Sequence, residues 1–187
     1  YTQKILAKFP SAKIIEIDHY KDVFCRSRQN YPLQHCSQKL ILAAKKGTML
    51  YKGAPVCQSF GSEYFYYTSC AMNCIYNCVY CYLKGMYPSA NIVVFVNLEE
   101  IFAEVEQRLQ MHPLYLCISY DTDLLALESI TGYVQEWCTF AAKYKNLKIE
   151  IRTKCANSSS IFRMHPILQV IYAFTLSPQP IIEAFEH

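Results

Sequence analysis

Apolar positions along the chain follow two different periods. After Asn97, residues Leu98, Ile101, Phe102, Val105 and Leu109 recur three or four apart, which predicts a helix. Asn97 followed by Glu100 is a cap pattern related to the capping box, and His112-Pro113 closes the helix. Leu114–Ser119 (LYLCIS) is a continuous apolar run and predicts a buried strand. Leu147–Thr153 (LKIEIRT) alternates apolar and polar, Val170–Leu176 (VIYAFTL) is apolar and β-prone, and Tyr64–Thr68 is aromatic; each predicts a strand. Residues 124–144 show helical spacing in parts, with Gly132 weakening the start. Ile161–His165 reads as a helical turn, and Pro180–Phe185 as the beginning of a helix. Strands alternating with helices indicate successive βα units and a parallel sheet.

The N-terminal third is less regular. Ile5-Leu6-Ala7 and Ile14-Ile15-Glu16-Ile17, on either side of Pro10, are each long enough for a strand or a helical turn. Residues 36–46 (CSQKLILAAKK) read as a helix stopped by Gly47, and Lys52-Gly53-Ala54-Pro55 as a turn. A soft boundary falls near residue 60, which divides the chain into a basic region, 1–60, and a cysteine-rich unit, 61–187. No repeat or low-complexity tract is evident.

Composition narrows the class. The chain has 187 residues, 52% hydrophobic and 18% charged, so it holds ample material for a core and does not read as disordered. It lacks an eighteen-residue apolar run and a basic-plus-apolar leader, so neither a membrane span nor secretion is expected. The net charge of +3 is unevenly spread: residues 1–60 carry +7 and residues 61–187 carry −4. A basic third suits a polyanionic partner such as DNA, although a solvated lysine-rich face has the same composition. Ten cysteines could form a disulfide framework. Tight spacing in a chain without a secretory leader points instead to metal binding or catalysis.

The most informative stretch is Cys74-Ile-Tyr-Asn-Cys78-Val-Tyr-Cys81, spaced C-x3-C-x2-C directly after a predicted strand. Three thiolates on one short loop can hold three irons of a cubane cluster and leave the fourth open, whereas closed clusters normally take four cysteines. Structural zinc favours four ligands, commonly as two C-x2-C pairs, and only one C-x2-C occurs here. Cys70 breaks the spacing and is left out of the set.

This motif, with Tyr82 following, is the signature of radical S-adenosylmethionine enzymes. The wider stretch resembles the spore photoproduct lyases. Cys78-Val79-Tyr80-Cys81-Tyr82-Leu83 is similar to their Cys-x-Tyr-Cys-Tyr-Leu loop, and Phe95-Val96-Asn97-Leu98-Glu99-Glu100-Ile101 to their following helix start. Thr122-Asp123 through Glu128 and Thr131, Arg152-Thr153-Lys154, and Phe174-Thr175-Leu176-Ser177 resemble three further segments, so the likeness covers roughly residues 60–187. It implies a 4Fe-4S cluster on Cys74, Cys78 and Cys81 that binds S-adenosylmethionine. It also implies a 5′-deoxyadenosyl radical that reverts the spore photoproduct thymine dimer in DNA to two thymines. Lys154 would face the methionine carboxylate, with Thr122 and Thr175 as polar contacts and Tyr82 beside the cofactor. Tyr80 and Tyr82 resemble a tyrosine pair that returns a hydrogen atom. Implied partners are lesion-bearing DNA and an electron donor such as flavodoxin or ferredoxin, with no membrane; the implied location is the cytoplasm, in a spore core.

One departure stands out. Where better-known members carry a cysteine hydrogen donor, this chain has Tyr120. Cys117 lies three residues earlier, which on a strand means the opposite face and about 10 Å of displacement. Tyr120 is therefore the expected donor, directly or through Tyr82 and Tyr80, with Cys117 as the alternative.

Other residues add little. Cys155 beside Lys154 reads as a packed thiol, the five histidines show no metal spacing, and Asp121 and Asp123 are expected to point to opposite faces. The expected architecture is α/β: a partial (β/α) barrel of the radical S-adenosylmethionine type, preceded by a basic α+β region. At about 30 residues per unit, four βα units fit. The resemblance implies about six, so the chain reads as truncated, with Val170–Leu176 as an open edge. Rival functions are a radical enzyme with another substrate, and a non-enzymatic metal module that binds nucleic acid.

Overall fold

The computed structural model describes residues 1–157, 159–162 and 165–186. The N-terminal part contains three short helices, α1 (Thr2–Leu6), α2 (Lys21–Phe24) and α3 (Tyr31–His35), then strands β1 (Leu40–Ala43) and β2 (Tyr51–Lys52). There follow β3 (Phe65–Tyr67), β4 (Ala71–Met72), α4 (Leu83–Met86), β5 (Ile92–Phe95) and α5 (Leu98–Leu109). The remainder runs β6 (Leu114–Cys117), α6 (Glu128–Thr131), α7 (Tyr133–Ala141), β7 (Leu147–Thr153), α8 (Ser159–Phe162), β8 (Val170–Phe174) and α9 (Gln179–Phe185). The turn expected over 161–165 extends to residues 163 and 164, which lie outside the described residues.

Two sheets share the core. The larger is ordered β2-β3-β6-β7-β8, and its β3, β6, β7 and β8 are mutually parallel. The expected parallel α/β core is therefore present. The smaller sheet is ordered β1-β5-β4, with β1 parallel to β5 and β4 antiparallel to it. Strand β5 thus leaves the parallel row of four and pairs with the N-terminal segment. Ile92, Val94, Leu116, Ile149, Val134 and Trp137 belong to one buried cluster between the layers. Each Leu or Ile sequestered there contributes about 1.5–3 kcal/mol. The Tyr133 hydroxyl, itself fully buried, donates to the Phe95 carbonyl at 2.7 Å and ties α7 to the smaller sheet.

Residues 36–46 are not a helix. Leu40–Ala43 forms β1, in register with Ile92–Phe95. A four-residue apolar run carries no decisive period, and the β-branched, fully buried β5 needs a strand alongside to satisfy its backbone. Gly47 still marks a turn, at φ +80°. Asn97 does begin α5, but its side chain makes no cap hydrogen bond. Its Oδ1 accepts from the Lys45 amide at 2.7 Å and its Nδ2 donates to the Lys45 carbonyl at 2.8 Å, which locks the helix start to the end of β1. Gly132, at φ +71°, adopts the left-handed conformation that separates α6 from α7. The C-terminal ends of β3, β6, β7 and β8 lie along one edge of the sheet, and the loops that follow them form the candidate site. No helix among the described residues is long and apolar enough to cross a membrane.

Candidate functional site

The cysteine loop leaves β4 and ends in α4. Asn73 holds its base: at φ +72°, its side chain donates to the carbonyls of Ser89 and Asn91 while its Oδ1 accepts from the Cys74 amide at 3.1 Å. Cys74 and Cys81 pack against a small cluster that contains Phe24, Leu83 and Tyr87. The Cys81 amide bonds to the Cys78 carbonyl at 3.2 Å, which folds the C-x2-C segment into a turn. All three thiols are free, Cys78 is buried, and burial pushes the Cys74 thiol up to about 11. Among the described residues no three His, Cys, Asp or Glu side chains converge closely enough to hold one metal ion. Cys70 belongs elsewhere: it is fully buried in the main core and accepts from the Trp137 indole at 3.2 Å.

The loop after β6 carries Tyr120, Asp121, Thr122 and Asp123. The two carboxylates diverge as expected, but not through strand alternation, which sets residues two apart on one face; beyond Cys117 the chain has left β6. Asp121 takes the Ser69 hydroxyl hydrogen bond, whereas Asp123 accepts from Thr153 Oγ1 and the Lys154 amide, both at 2.7 Å. Asp123 thereby fixes the end of β7, where Lys154 stands. Between them Thr122 is 7% exposed, and its Oγ1 has no hydrogen-bond partner among the described residues. A buried hydroxyl left unpaired costs free energy, so this one is open to a partner that the described residues do not supply. Thr175 follows β8, donates its amide to the Thr153 carbonyl at 2.8 Å and exposes its side chain at the same edge.

Lys154 donates to Ser177 Oγ at 3.1 Å and to Glu186 Oε1 at 2.6 Å, and its ammonium lies 5.6 Å from the Tyr80 ring centre. Burial pulls the Lys154 pKa down, but the bond to Glu186 and the contact with Tyr80 outweigh it and hold the value above the usual lysine range. Tyr80 donates to the same carboxylate, and the Val79 amide donates to the Phe185 carbonyl at 2.8 Å. The segment after α9 is therefore docked on the cysteine loop. Beside that loop, a cavity of about 420 Å³ is lined by Ile75, Tyr76, Leu125, Glu128 and Cys155. Cys155 is a packed thiol whose Sγ faces the Asn157 carbonyl.

The three tyrosines singled out by the sequence point to three different partners. Tyr80 bonds to Glu186, Tyr82 donates to the Tyr120 carbonyl at 2.6 Å, and the Tyr120 hydroxyl lies 3.6 Å from Cys57 Sγ. The Cys57 contact and burial push the Tyr120 phenol up to about 12. The Tyr120 ring stacks on Tyr67 at 4.0 Å, and Tyr67 stacks on Tyr51 at 5.2 Å. Cys117 is wholly buried among Phe65 and Tyr115, and burial raises its thiol to about 11. Cys57 and Glu186 were not singled out by the sequence; each meets the site across a long separation that spacing does not report.

A family model described as spore photoproduct lyase matches residues 51–187. A solved spore photoproduct lyase point mutant aligns over 98% of this chain and 54% of its own, with a TM-score of 0.82 and 18% identity. A double mutant with bound AdoMet and dinucleoside spore photoproduct aligns over 79% of this chain and 42% of its own, at TM-score 0.68 and 19% identity. Another structure, complexed with dinucleoside spore photoproduct, gives a TM-score of 0.67 at 19% identity, again over 79% of this chain and 42% of its own. The chain spans about half the length of these structures. No curated protein sequence matches it.

Proposed function

The chain belongs to the spore photoproduct lyase family, and from that premise we propose that it contributes the cofactor-binding part of a radical S-adenosylmethionine lyase that reverts a thymine dimer in DNA. The carrying observation is the unpaired hydroxyl of Thr122, buried between the sheet and the Lys154 corner. The donor set fits the implied groups. Cys74, Cys78 and Cys81 are free thiols on one short loop, the number that would leave one iron of a cubane cluster open. Lys154 suits a carboxylate, and Thr122 and Thr175 suit the polar end of a zwitterion.

When bound, the cluster and AdoMet supply one-electron chemistry that yields a carbon radical able to take hydrogen from the lesion. The chain's own residues do the rest. Asp123 positions Lys154 through its amide, and Lys154 orients the methionine end. Tyr82, half-exposed and anchored on the Tyr120 backbone, walls the cofactor side. Tyr120 holds the hydrogen atom that returns to the substrate carbon; burial and the Cys57 contact keep the phenol protonated through neutral pH. The basic segment 1–60 faces the nucleic acid, and residues 61–187 form the N-terminal part of the half-barrel.

The test is anaerobic reconstitution of the full-length protein with iron and sulfide, then reduction with AdoMet and lesion-bearing DNA. About four irons per chain and recovery of thymines are expected. Stoichiometric zinc without AdoMet cleavage would leave a metal-binding nucleic-acid module. Cleavage without lesion reversal would leave a different substrate. Tyr120→Phe should yield abortive products; Cys117→Ala should not.

A further inference from the structure

A second cavity, of about 280 Å³, opens at the same edge of the fold, beside Asp121. Its wall comes from chain that has just left β1, β3 and β6 or is completing β5: Lys45 and Lys46, Tyr67 and Ser69, Asp121, and Phe95. Pockets at the C-terminal ends of parallel strands are where α/β sheets take ligands. Tyr20, Lys21 and His19 close the cavity from the N-terminal segment, and Tyr51 from β2.

The chemistry of the wall is specific. Lys45 is 7% exposed, and its ammonium lies 5.0 Å and 5.1 Å from the ring centres of Tyr51 and Phe95. It makes no ion pair among the described residues. Asp121, in the same cavity, attracts this cation without reaching ion-pair distance, and burial outweighs that attraction and pulls the Lys45 pKa down. Lys46, Lys21 and His19 stand at the rim, against one carboxylate, Asp121, that already holds Ser69. Three tyrosine rings complete the lining. A cation at the base, further cations at the rim and aromatic walls are the parts that recognise a nucleotide: a phosphate for the charge and a π-face for the base. The stack Tyr51–Tyr67–Tyr120 runs from this cavity to the proposed hydrogen donor.

We propose that this cavity is a nucleotide subsite that seats one phosphodiester of single-stranded or unpaired DNA on Lys45 and Lys46, with its base against the tyrosine wall. It deepens the lyase reading, on which its choice of DNA rests, and gives the basic N-terminal segment a defined contact. The subsite places the strand beside Tyr120, two residues before Thr122, the proposed cofactor contact.

The experiment measures binding of undamaged oligothymidylate to the full-length protein over a range of salt concentrations, without reductant. Lys45→Met keeps the apolar stem while removing the charge; Lys46→Gln changes an exposed side chain that the fold does not need. Each should weaken binding about five- to tenfold at 0.1 M salt and lower the salt slope by about 0.7, the single-strand value for one phosphate. Lys148→Gln, on β7 outside the cavity, should do neither. The dinucleotide TpT should compete for the wild-type site where thymidine alone does not. If Lys45→Met does not fold, Lys46→Gln decides. Unchanged slopes in a protein that still reverts lesions would overturn the subsite while leaving the lyase reading intact. Changed slopes without lesion reversal would do the opposite.

Discussion

The ammonium of Lys154 and the carboxylate of Glu186 lie 2.6 Å apart across 32 positions of chain, and Ser177 bridges them, 2.6 Å from the same carboxylate oxygen. This pair occupies the corner where the proposed cofactor would bring its own carboxylate. Two carboxylates cannot share one ammonium equally, so cofactor binding competes with Glu186. Glu186→Gln should tighten AdoMet binding about two- to fivefold, the range for a partly exposed ion pair. Titration calorimetry on the reconstituted protein measures it. Weaker binding would make Glu186 an orienting partner of Lys154 instead.

The same pair gives a pH signature. Hydrogen bonds from Lys154, Ser177 and Tyr80 hold the Glu186 carboxyl well below the usual range, down to about 2. Its docked pKa is lower than its free value, so its contribution to docking is complete above about pH 4.5 and fades as the pH falls toward 2. Carboxyl carbon NMR should show Glu186 titrating at the bottom of that window. Lys154→Met should return it to ordinary glutamate behaviour.

Cys70 sits four residues before the first proposed ligand yet serves the core. Cys70→Ala leaves the buried Trp137 indole N–H without an acceptor and should cost about 1–3 kcal/mol in urea unfolding. Iron content should stay at the wild-type level. Cys74→Ala, Cys78→Ala or Cys81→Ala should lose the cluster.

Glu150 is fully buried on β7 and is held by Arg152 Nε and the Tyr115 hydroxyl. Arg152→Ala strands a buried carboxylate and should destabilise the protein by about 3 kcal/mol. Exchange of both partners for apolar residues, Glu150→Leu with Arg152→Leu, should recover much of that loss. A denaturation series that includes both single variants and the double variant checks it.

The Cys57 contact is the largest cause of the raised Tyr120 pKa. Cys57→Ala should bring that phenol down from about 12 toward the ordinary value of 10. Fluorotyrosine at position 120, followed by fluorine NMR against pH, reports it. No change would mean that the loop carrying Cys57 does not rest on Tyr120 in solution.

The parts legible in the sequence are those whose signal is local. Helix α5 follows from the spacing of Leu98, Ile101, Val105 and Leu109, and β7 from the alternation through Ile149 and Ile151. The loop of Cys74, Cys78 and Cys81 follows from three like side chains within eight residues. Strand β1 is not legible, because Leu40-Ile41-Leu42 is too short to reveal a period; only its pairing with β5 decides the matter. The start of α5 at Asn97 is legible, but its hydrogen bonds are not, because its partner Lys45 lies 52 residues away. Cys57 meets Tyr120 across 63 positions, a juxtaposition made by the sheet rather than by any motif.

The amide fork of Asn97 has one more consequence. By gripping both the N–H and the C=O of Lys45, it removes the backbone freedom of the residue at the base of the second cavity. A ligand arriving there meets a cation whose ordering cost was met when the chain folded, so little entropy is lost on contact. Affinity at that point is thus written partly into the first turn of a helix that never touches the ligand. Asn97→Ala would loosen the grip without removing a single charge.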